Sequence, residues 1–179
     1  MKKTIIILAH PDIENSKMNK GLLEEVKKHP EIKIHDIYKL YSNYNFNMPI
    51  PAKEEHDLLQ QYERIVLQFP LFWYSSPPLL KKWIDDVLQD GLFPWLKEKE
   101  LSVAVTTHAP IHEHTPWGHA SRHITEFLLP FVQIAKYTKM KFVPAFAVHG
   151  AEEITEEELR QKSKEYVTML QQPFERKKN

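Results

Sequence analysis

The chain has no cysteine, which removes disulfides, thiolate nucleophiles, iron–sulfur ligation and every Cys-based zinc site. A disulfide-free chain suits a reducing compartment, and the cytoplasm is the expected location. It has no excess of either charge, since Lys+Arg and Asp+Glu are both 24. Without a net basic field nothing holds a polyanion, so nucleic acid is not an expected partner. No apolar run approaches the roughly 20 residues of a membrane-spanning helix, and the apolar run after Met1-Lys-Lys-Thr is too short for a signal peptide. Membrane insertion is therefore not expected. Glycine is scarce, 4 in 179 residues, and none of it forms a Gly-x-Gly-x-x-Gly turn or a Gly-x-x-x-x-Gly-Lys-Ser/Thr loop. The Rossmann dinucleotide turn and the P-loop are thus missing, as is the Gly-x-Ser-x-Gly elbow of serine hydrolases.

What is present is enough chain for one domain. A protein of 179 residues buries about 70% of its unfolded surface. Residues 1–172 are read as a single domain and 173–179 as a frayed tail. Residues 5–9 form a continuous, largely β-branched run, the pattern of a strand covered on both faces. Met18, Leu22 and Val26, four apart, mark an amphipathic helix. Residues 31–37 read as a more exposed strand, 38–53 as a long connection rich in Tyr, Asn and Pro, and 53–62 as a short charged helix. A third strand over 65–69 is stopped by Pro70. Leu79, Leu80, Trp83, Ile84, Val87 and Leu88 then form one broad helix face opened by Pro77-Pro78. Residues 101–105 read as a fourth strand, 121–138 as a helix that Pro130 kinks or interrupts, and 142–148 as a fifth strand that Pro144 marks as an edge or a bulge. Thr155 and Glu158 have the spacing of a capping box ahead of the last helix. Five strands alternating with helices predict a doubly wound α/β fold, a parallel sheet with helices on both faces.

Ligands of such sheets sit beyond the carboxyl ends of the strands. That rule selects residues 9–20, 69–78 and 106–119. In the first segment Ser16 stands where a helix N-cap belongs. Its hydroxyl, the free helix N–H groups, Asn19 and His10 together suit a phosphate; alternatively Ser16 only caps the helix and His10 is a loop residue. In the second, Phe69, Phe72, Trp73 and Tyr74 place four aromatic rings outside any helical period. Loops are ordinarily polar, so this one suits a flat ring to be covered, a subunit interface, or core packing. In the third, His108, His112, His114 and His119 lie close together, with His123 just beyond. His119 and His123 would share a helix face, but the spacing matches no standard zinc motif and Glu113 is the only nearby acid, so no metal is assigned.

Phe69-Pro-Leu-Phe-Trp-Tyr, followed by Pro77-x-Leu79-Leu80-Lys81-x-Trp83-Ile84-Asp85-x-Val87-Leu88, resembles the signature of the flavodoxin-like NAD(P)H:quinone oxidoreductases. These include relatives of mammalian quinone reductase, bacterial modulators of drug activity and ancillary subunits of potassium-efflux systems. Leu8-Ala9-His10-Pro11 with Ser16-x-x-Asn19 is similar to their opening motif. Thr106-Thr107 with Thr115-Pro116-x-Gly118 and Leu129-Pro130-Phe131 resembles their third loop and following helix, and Val143-Pro144-x-Phe146-x-Val148-His149-Gly150 their last strand. The resemblance runs in order over nearly the whole chain. It implies a five-stranded flavodoxin-like sheet of order 2-1-3-4-5, a homodimer, and a flavin, FMN or FAD, lying across the three loops. NAD(P)H would pass a hydride to the flavin and leave, and a quinone or similar acceptor would then take the same place. By motif, His10, Ser16, Lys17, Met18 and Asn19 would hold the flavin phosphate. Pro70, Leu71, Phe72, Trp73 and Tyr74 would lie along the isoalloxazine, and Thr106 and Thr107 would close over its other side. The same resemblance admits a second reading, a nucleotide-binding regulatory protein that docks on a transporter and turns over little.

The chain also departs from the family pattern. Relatives usually follow Thr-Thr with glycine, where this chain has His108 and Ala109, so an imidazole and a Cβ are expected against the ring. Mammalian relatives use a Tyr and a His for the proton that accompanies the hydride. The aligned positions are His114 and Ala120, which leaves His114 as the candidate catalytic residue, imidazole being suited to proton transfer near neutral pH. A stretch that is glycine-rich in relatives is shortened here to residues 90–96.

Overall fold

The computed structural model describes residues 2–41, 48–88 and 93–173. Ile5, Ile6, Ile7 and Leu8 are shut off from solvent because the strand they form, β1 (Thr4–Leu8), is paired on both edges and covered on both faces. Its neighbours are β2 (Ile32–Asp36) on one side and β3 (Arg64–Pro70) on the other, and β4 (Glu100–Thr106) lies beyond β3, all parallel. The order is β2-β1-β3-β4-β5, as the resemblance implies, and β6 also pairs with β4. The fifth strand expected over 142–148 is therefore two short ones, β5 (Lys141–Phe142) and β6 (Phe146–Val148). Pro144 lies between them. It has no N–H for the ladder, and its carbonyl accepts from Ser102 Oγ instead, at 2.9 Å.

Crossovers between parallel strands carry helices to both faces. On one face α1 (Lys17–Val26) and α7 (Glu156–Gln171) cover Ile6, Leu8, Val66 and Ala104. They approach closely at Gly21, where a Cβ would stand 2.6 Å from Leu159 Cδ2, and Ser163 Oγ donates to the Gly21 carbonyl at 3.1 Å. The capping box at Thr155 and Glu158 forms as its spacing predicts. On the other face α3 (Ala52–Leu59), α4 (Pro78–Val87) and α6 (Leu129–Tyr137) pack on Ile5, Ile7, Leu67, Phe69, Val103 and Val105.

Two expectations differ from what is found. The helix expected over 121–138 is two, α5 (Ile124–Phe127) and α6. Pro130 sits in the first turn of α6, where a missing N–H breaks no bond, so it helps to start a helix and kinks none. The connection expected over 38–53 begins with a helical turn, α2 (Ile37–Leu40), because the Asp36 carboxylate accepts from the Lys39 N–H at 3.0 Å. Residues 42–47 of that connection, 89–92 around the shortened stretch and 174–179 of the tail lie outside the described residues. Among the described residues no helix is long and apolar enough to cross a membrane.

Candidate functional site

Backbone hydrogen bonds draw the three loops together at the carboxyl edge of the sheet. Ala9 N–H donates to the Gln68 carbonyl (2.9 Å), Leu71 N–H to Thr106 (2.8 Å) and Thr107 N–H to Val148 (2.9 Å). In the first loop Ser16 is the N-cap of α1, and its Oγ accepts from the Asn19 N–H at 3.2 Å. Capping uses one lone pair only. The N–H groups of Lys17 and Met18 keep no acceptor among the described residues, so the start of this ten-residue helix remains a donor pair at the positive end of its dipole. His10 Nδ1 accepts from the Asp12 N–H at 3.1 Å, which leaves its proton on Nε2. Burial holds the His10 pKa below its ordinary value, against the opposing pull of Asp12 and Asp36.

The other side chains of this loop are occupied inside the protein. Lys17 Nζ donates to the Ile154 carbonyl at 2.5 Å, and the Met18 side chain is buried in the core beside Leu22. Asn19 Nδ2 donates to Thr106 Oγ1 at 2.7 Å, which ties the first loop to the third. At Lys17 and Met18, therefore, what remains for an anion is backbone N–H.

Pro70 closes β3, and the chain then turns back on itself. Phe72 N–H donates to the Ser75 carbonyl and Ser75 N–H to that of Phe72, both at 2.9 Å. The two residues between, Trp73 and Tyr74, have φ of +46° and +62°. A turn with both central residues left-handed is ordinarily Asn-Gly, and each residue with a Cβ placed there costs about 1–2 kcal/mol. Here the two are aromatic. Trp73 is 94% exposed, and Tyr74 stacks on Phe127 at 4.9 Å. The turn leaves the N–H groups of Trp73 and Tyr74 without an acceptor among the described residues. Backbone strain held at a ligand edge of the sheet points to use by a ligand.

The third loop bonds largely to itself. Thr115 Oγ1 donates to the His112 carbonyl (2.9 Å), and Gly118 N–H donates to Thr115 Oγ1 (3.1 Å). Ala120 N–H reaches the Glu113 carbonyl at 3.1 Å, and His119 N–H the Glu113 carboxylate at 2.7 Å, which holds that carboxyl below the usual range. At Gly118 an added Cβ would lie 2.4 Å from the Glu113 carbonyl oxygen, so the two backbone runs meet only because that residue is glycine. This knot buries His114 to 5% exposure, with its Nδ1 3.4 Å from the Pro110 carbonyl and its ring 5.0 Å from that of His149. His119 lies in a turn ahead of α5, so it shares no helix face with His123. Among the described residues no group of three or more His, Asp or Glu is placed to hold a metal.

Thr107 gives its hydroxyl proton to the Ala109 carbonyl at 2.7 Å and meets His149 Nδ1 at 2.9 Å. With that proton used, His149 Nδ1 must donate, and its lone pair is on Nε2. Burial first, then the charges of His114 and Lys162, push the His149 pKa down to about 4. His108 leaves the loop outward, its side chain 76% exposed and 3.7 Å from Glu152. Tyr74, His108, His114, His119, Glu113 and Glu152 line a cavity of about 250 Å³ between the second and third loops.

A family model described as a flavodoxin-like fold matches residues 2–170, and the chain belongs to that family. Among curated relatives, YrkL of Bacillus subtilis (strain 168), named an uncharacterized NAD(P)H oxidoreductase, is 36% identical over 176 residues, 94% of this chain and 97% of the relative. KefF of Salmonella newport (strain SL254), named a glutathione-regulated potassium-efflux system ancillary protein, is 32% identical over 174 residues, covering 93% and 94%. Among solved structures, general stress protein 14 of Treponema denticola in complex with FMN superposes with a TM-score of 0.85 at 32% identity, covering 94% of this chain and 97% of that one.

Gln68 and Tyr166, behind the site, carry no signal in the sequence motifs and join Asn19 only through the fold, while His149 stands in the last-strand motif but its bond to Thr107, 42 positions away, is set by the fold. A period-2 reading of β3 finds Gln68 as a polar residue among apolar ones, which is the one local hint of a buried partner.

Proposed function

We propose that this chain is an FMN-dependent NAD(P)H oxidoreductase that reduces quinones or similar small acceptors by two electrons. The observation that carries the reading is the left-handed turn at Trp73 and Tyr74 at the ligand edge of the sheet, whose two N–H groups have no partner among the described residues. The donor set as a whole fits a phosphorylated ring with a polar edge. Lys17 and Met18 N–H with His10 Nε2–H suit a phosphate, and Trp73 and Tyr74 N–H suit ring oxygens and nitrogens beside aromatic faces. The FMN complex of the Treponema denticola relative and the name of YrkL support the same assignment.

Bound flavin would supply the hydride chemistry, accepting from NADH or NADPH and releasing two electrons to the acceptor. The chain's own residues hold and shield it. Pro70, Leu71 and Phe72 set one wall, Thr106 and Thr107 the other, and His108 stands at the rim with its imidazole outward. His114, held by Gly118 and Pro110, is the buried group for the accompanying proton. Its Nδ1 donates to Pro110, so a proton enters or leaves at Nε2. Donor and acceptor occupy the same cavity in turn, which makes the kinetics ping-pong. Trp73 and Trp117, each more than nine-tenths exposed near this edge, suit the interface of a homodimer.

The likeness to KefF favours a second reading, an ancillary protein of an efflux transporter with weak turnover. Titrating the apoprotein with FMN and following NAD(P)H oxidation with a quinone separates the two. Tight FMN with many turnovers supports the oxidoreductase, and tight FMN with a single slow reduction supports the ancillary protein. Failure to bind FMN refutes both.

A further inference from the structure

Four buried polar side chains run through the core from α7 to the end of β4, and their hydrogen bonds have a single allowed direction. Tyr166, Gln68, Asn19 and Thr106 are each at most 3% exposed. Gln68 Nε2 lies 3.3 Å from the Asn19 backbone carbonyl and 3.2 Å from Asn19 Oδ1. A backbone carbonyl only accepts, so this end of Gln68 is its NH2 group, and its Oε1 faces the Tyr166 hydroxyl at 3.0 Å. Asn19 therefore takes a proton at Oδ1 and turns its own NH2 toward Thr106 Oγ1 at 2.7 Å. An amide NH2 has no acceptor capacity, so the threonine oxygen must accept. The Thr106 proton is then left over, and no described residue offers it an acceptor. Its neighbour shows the contrast, since the Thr107 hydroxyl donates to Ala109.

Burial raises the Tyr166 phenol well above its ordinary pKa, so the chain keeps its direction across the physiological pH range. Aligned hydrogen bonds polarise one another, and the last hydroxyl in the row becomes the strongest donor. A buried O–H without an acceptor is costly, and at the carboxyl end of β4 a ligand atom relieves that cost.

We infer that Tyr166, Gln68 and Asn19 are positioning residues that present the Thr106 hydroxyl proton to an acceptor atom of the bound flavin, so that a tyrosine on α7 helps set cofactor affinity. This rests on the flavin reading proposed above. It gives the Asn19 carboxamide a role through Thr106, in place of direct contact with a phosphate.

The test measures FMN dissociation constants, by flavin fluorescence, for the wild type, Thr106→Val, Tyr166→Phe, the double variant and Thr106→Ser. Thr106→Val weakens FMN by about tenfold, the worth of one hydrogen bond. Tyr166→Phe weakens it by about threefold, the worth of lost polarisation, and adds nothing in the Thr106→Val background. Thr106→Ser keeps the hydroxyl and restores both the affinity and its sensitivity to Tyr166→Phe. Asn19→Asp is the second probe, because a carboxylate in place of the NH2 pulls the Thr106 proton inward. It weakens FMN at least tenfold with Thr106 present and far less in the Thr106→Val background, whereas simple repulsion of the phosphate would persist in both. Equal losses in the two backgrounds, or unchanged affinity in Tyr166→Phe and Asn19→Asp, overturn the inference while leaving the flavin assignment standing. A wild type that takes up no FMN overturns the flavin assignment, and this inference with it.

Discussion

Replacing Trp73 should make the empty protein more stable and its hold on flavin weaker. Trp73 sits at φ +46° and is 94% exposed. The left-handed backbone costs a residue with a Cβ about 1–2 kcal/mol. The small buried remainder of the side chain, on the order of 15 Å², returns only about 0.4 kcal/mol. Glycine would remove the penalty but lose about 0.5–1 kcal/mol of backbone entropy on folding, for a net change between roughly −0.4 and +1.1 kcal/mol. Asparagine tolerates the left-handed region without the full entropic cost, so Trp73→Asn should gain on the order of 0.5–1 kcal/mol. For a domain of this size that is a rise of roughly 1–4 °C in the melting temperature. Urea titration of the apoprotein, followed by circular dichroism, reads the stability directly, and an FMN titration of the same samples reads the affinity. A loss above about 1 kcal/mol in both variants would show that Trp73 holds the fold together, and the case for ligand-directed strain would fail.

Three further outcomes are expected. Gly118→Ala places a Cβ 2.4 Å from the Glu113 carbonyl oxygen, so the third loop must open. Overpacking of this kind costs about 1–3 kcal/mol, and FMN-dependent NAD(P)H oxidation should fall with the melting temperature; unchanged values for both would mean that the loop yields freely. His149, with its pKa lowered from 6.5 to about 4 by burial and by His114 and Lys162, binds a proton more readily unfolded than folded. Its contribution is therefore lost as the pH falls from about 6.5 toward 4, and His149→Gln should flatten that part of the stability curve; a curve of unchanged slope contradicts the assignment. Light scattering should give twice the chain mass, and Trp117→Ser with Ile111→Ser, both at exposed positions, should shift it toward the monomer. A monomeric wild type would remove the dimer from the account.

The strands were legible because a buried parallel strand needs a largely apolar run: residues 5–9 have an unbroken one, and 65–69 and 101–105 are each interrupted once, at Gln68 and Ser102. Thr155 with Glu158 and the broad face of α4 were legible for the same local reason. Prolines were harder to place. Pro144 marks a sheet edge, as expected, and in addition splits the strand in two; the helix expected to be kinked or interrupted at Pro130 is interrupted, with Pro130 in the first turn of its second part. In both cases the outcome depends on which backbone partner is available, and that is a property of the fold. The three loops selected by the rule for open sheets do lie together at the carboxyl edge, and the Ser16 cap formed as expected. What single residues do in those loops was less visible. Asn19 matches a motif at an exposed loop, yet its side chain points inward because Thr106 and Gln68, 87 and 49 positions away, offer it an acceptor and a donor. The left-handed turn at Trp73 and Tyr74 had no glycine or asparagine to announce it.

Whether this edge of the sheet binds a flavin and passes hydride equivalents through it is decided by one visible absorption experiment. The purified protein is mixed with FMN, passed through gel filtration, and reduced anaerobically with NADH or NADPH before a quinone is added. Flavin absorbance should stay with the protein, bleach on addition of one or both nicotinamides, and return when the quinone is added. A protein that elutes colourless, or holds FMN that neither nicotinamide reduces, would contradict the flavin assignment.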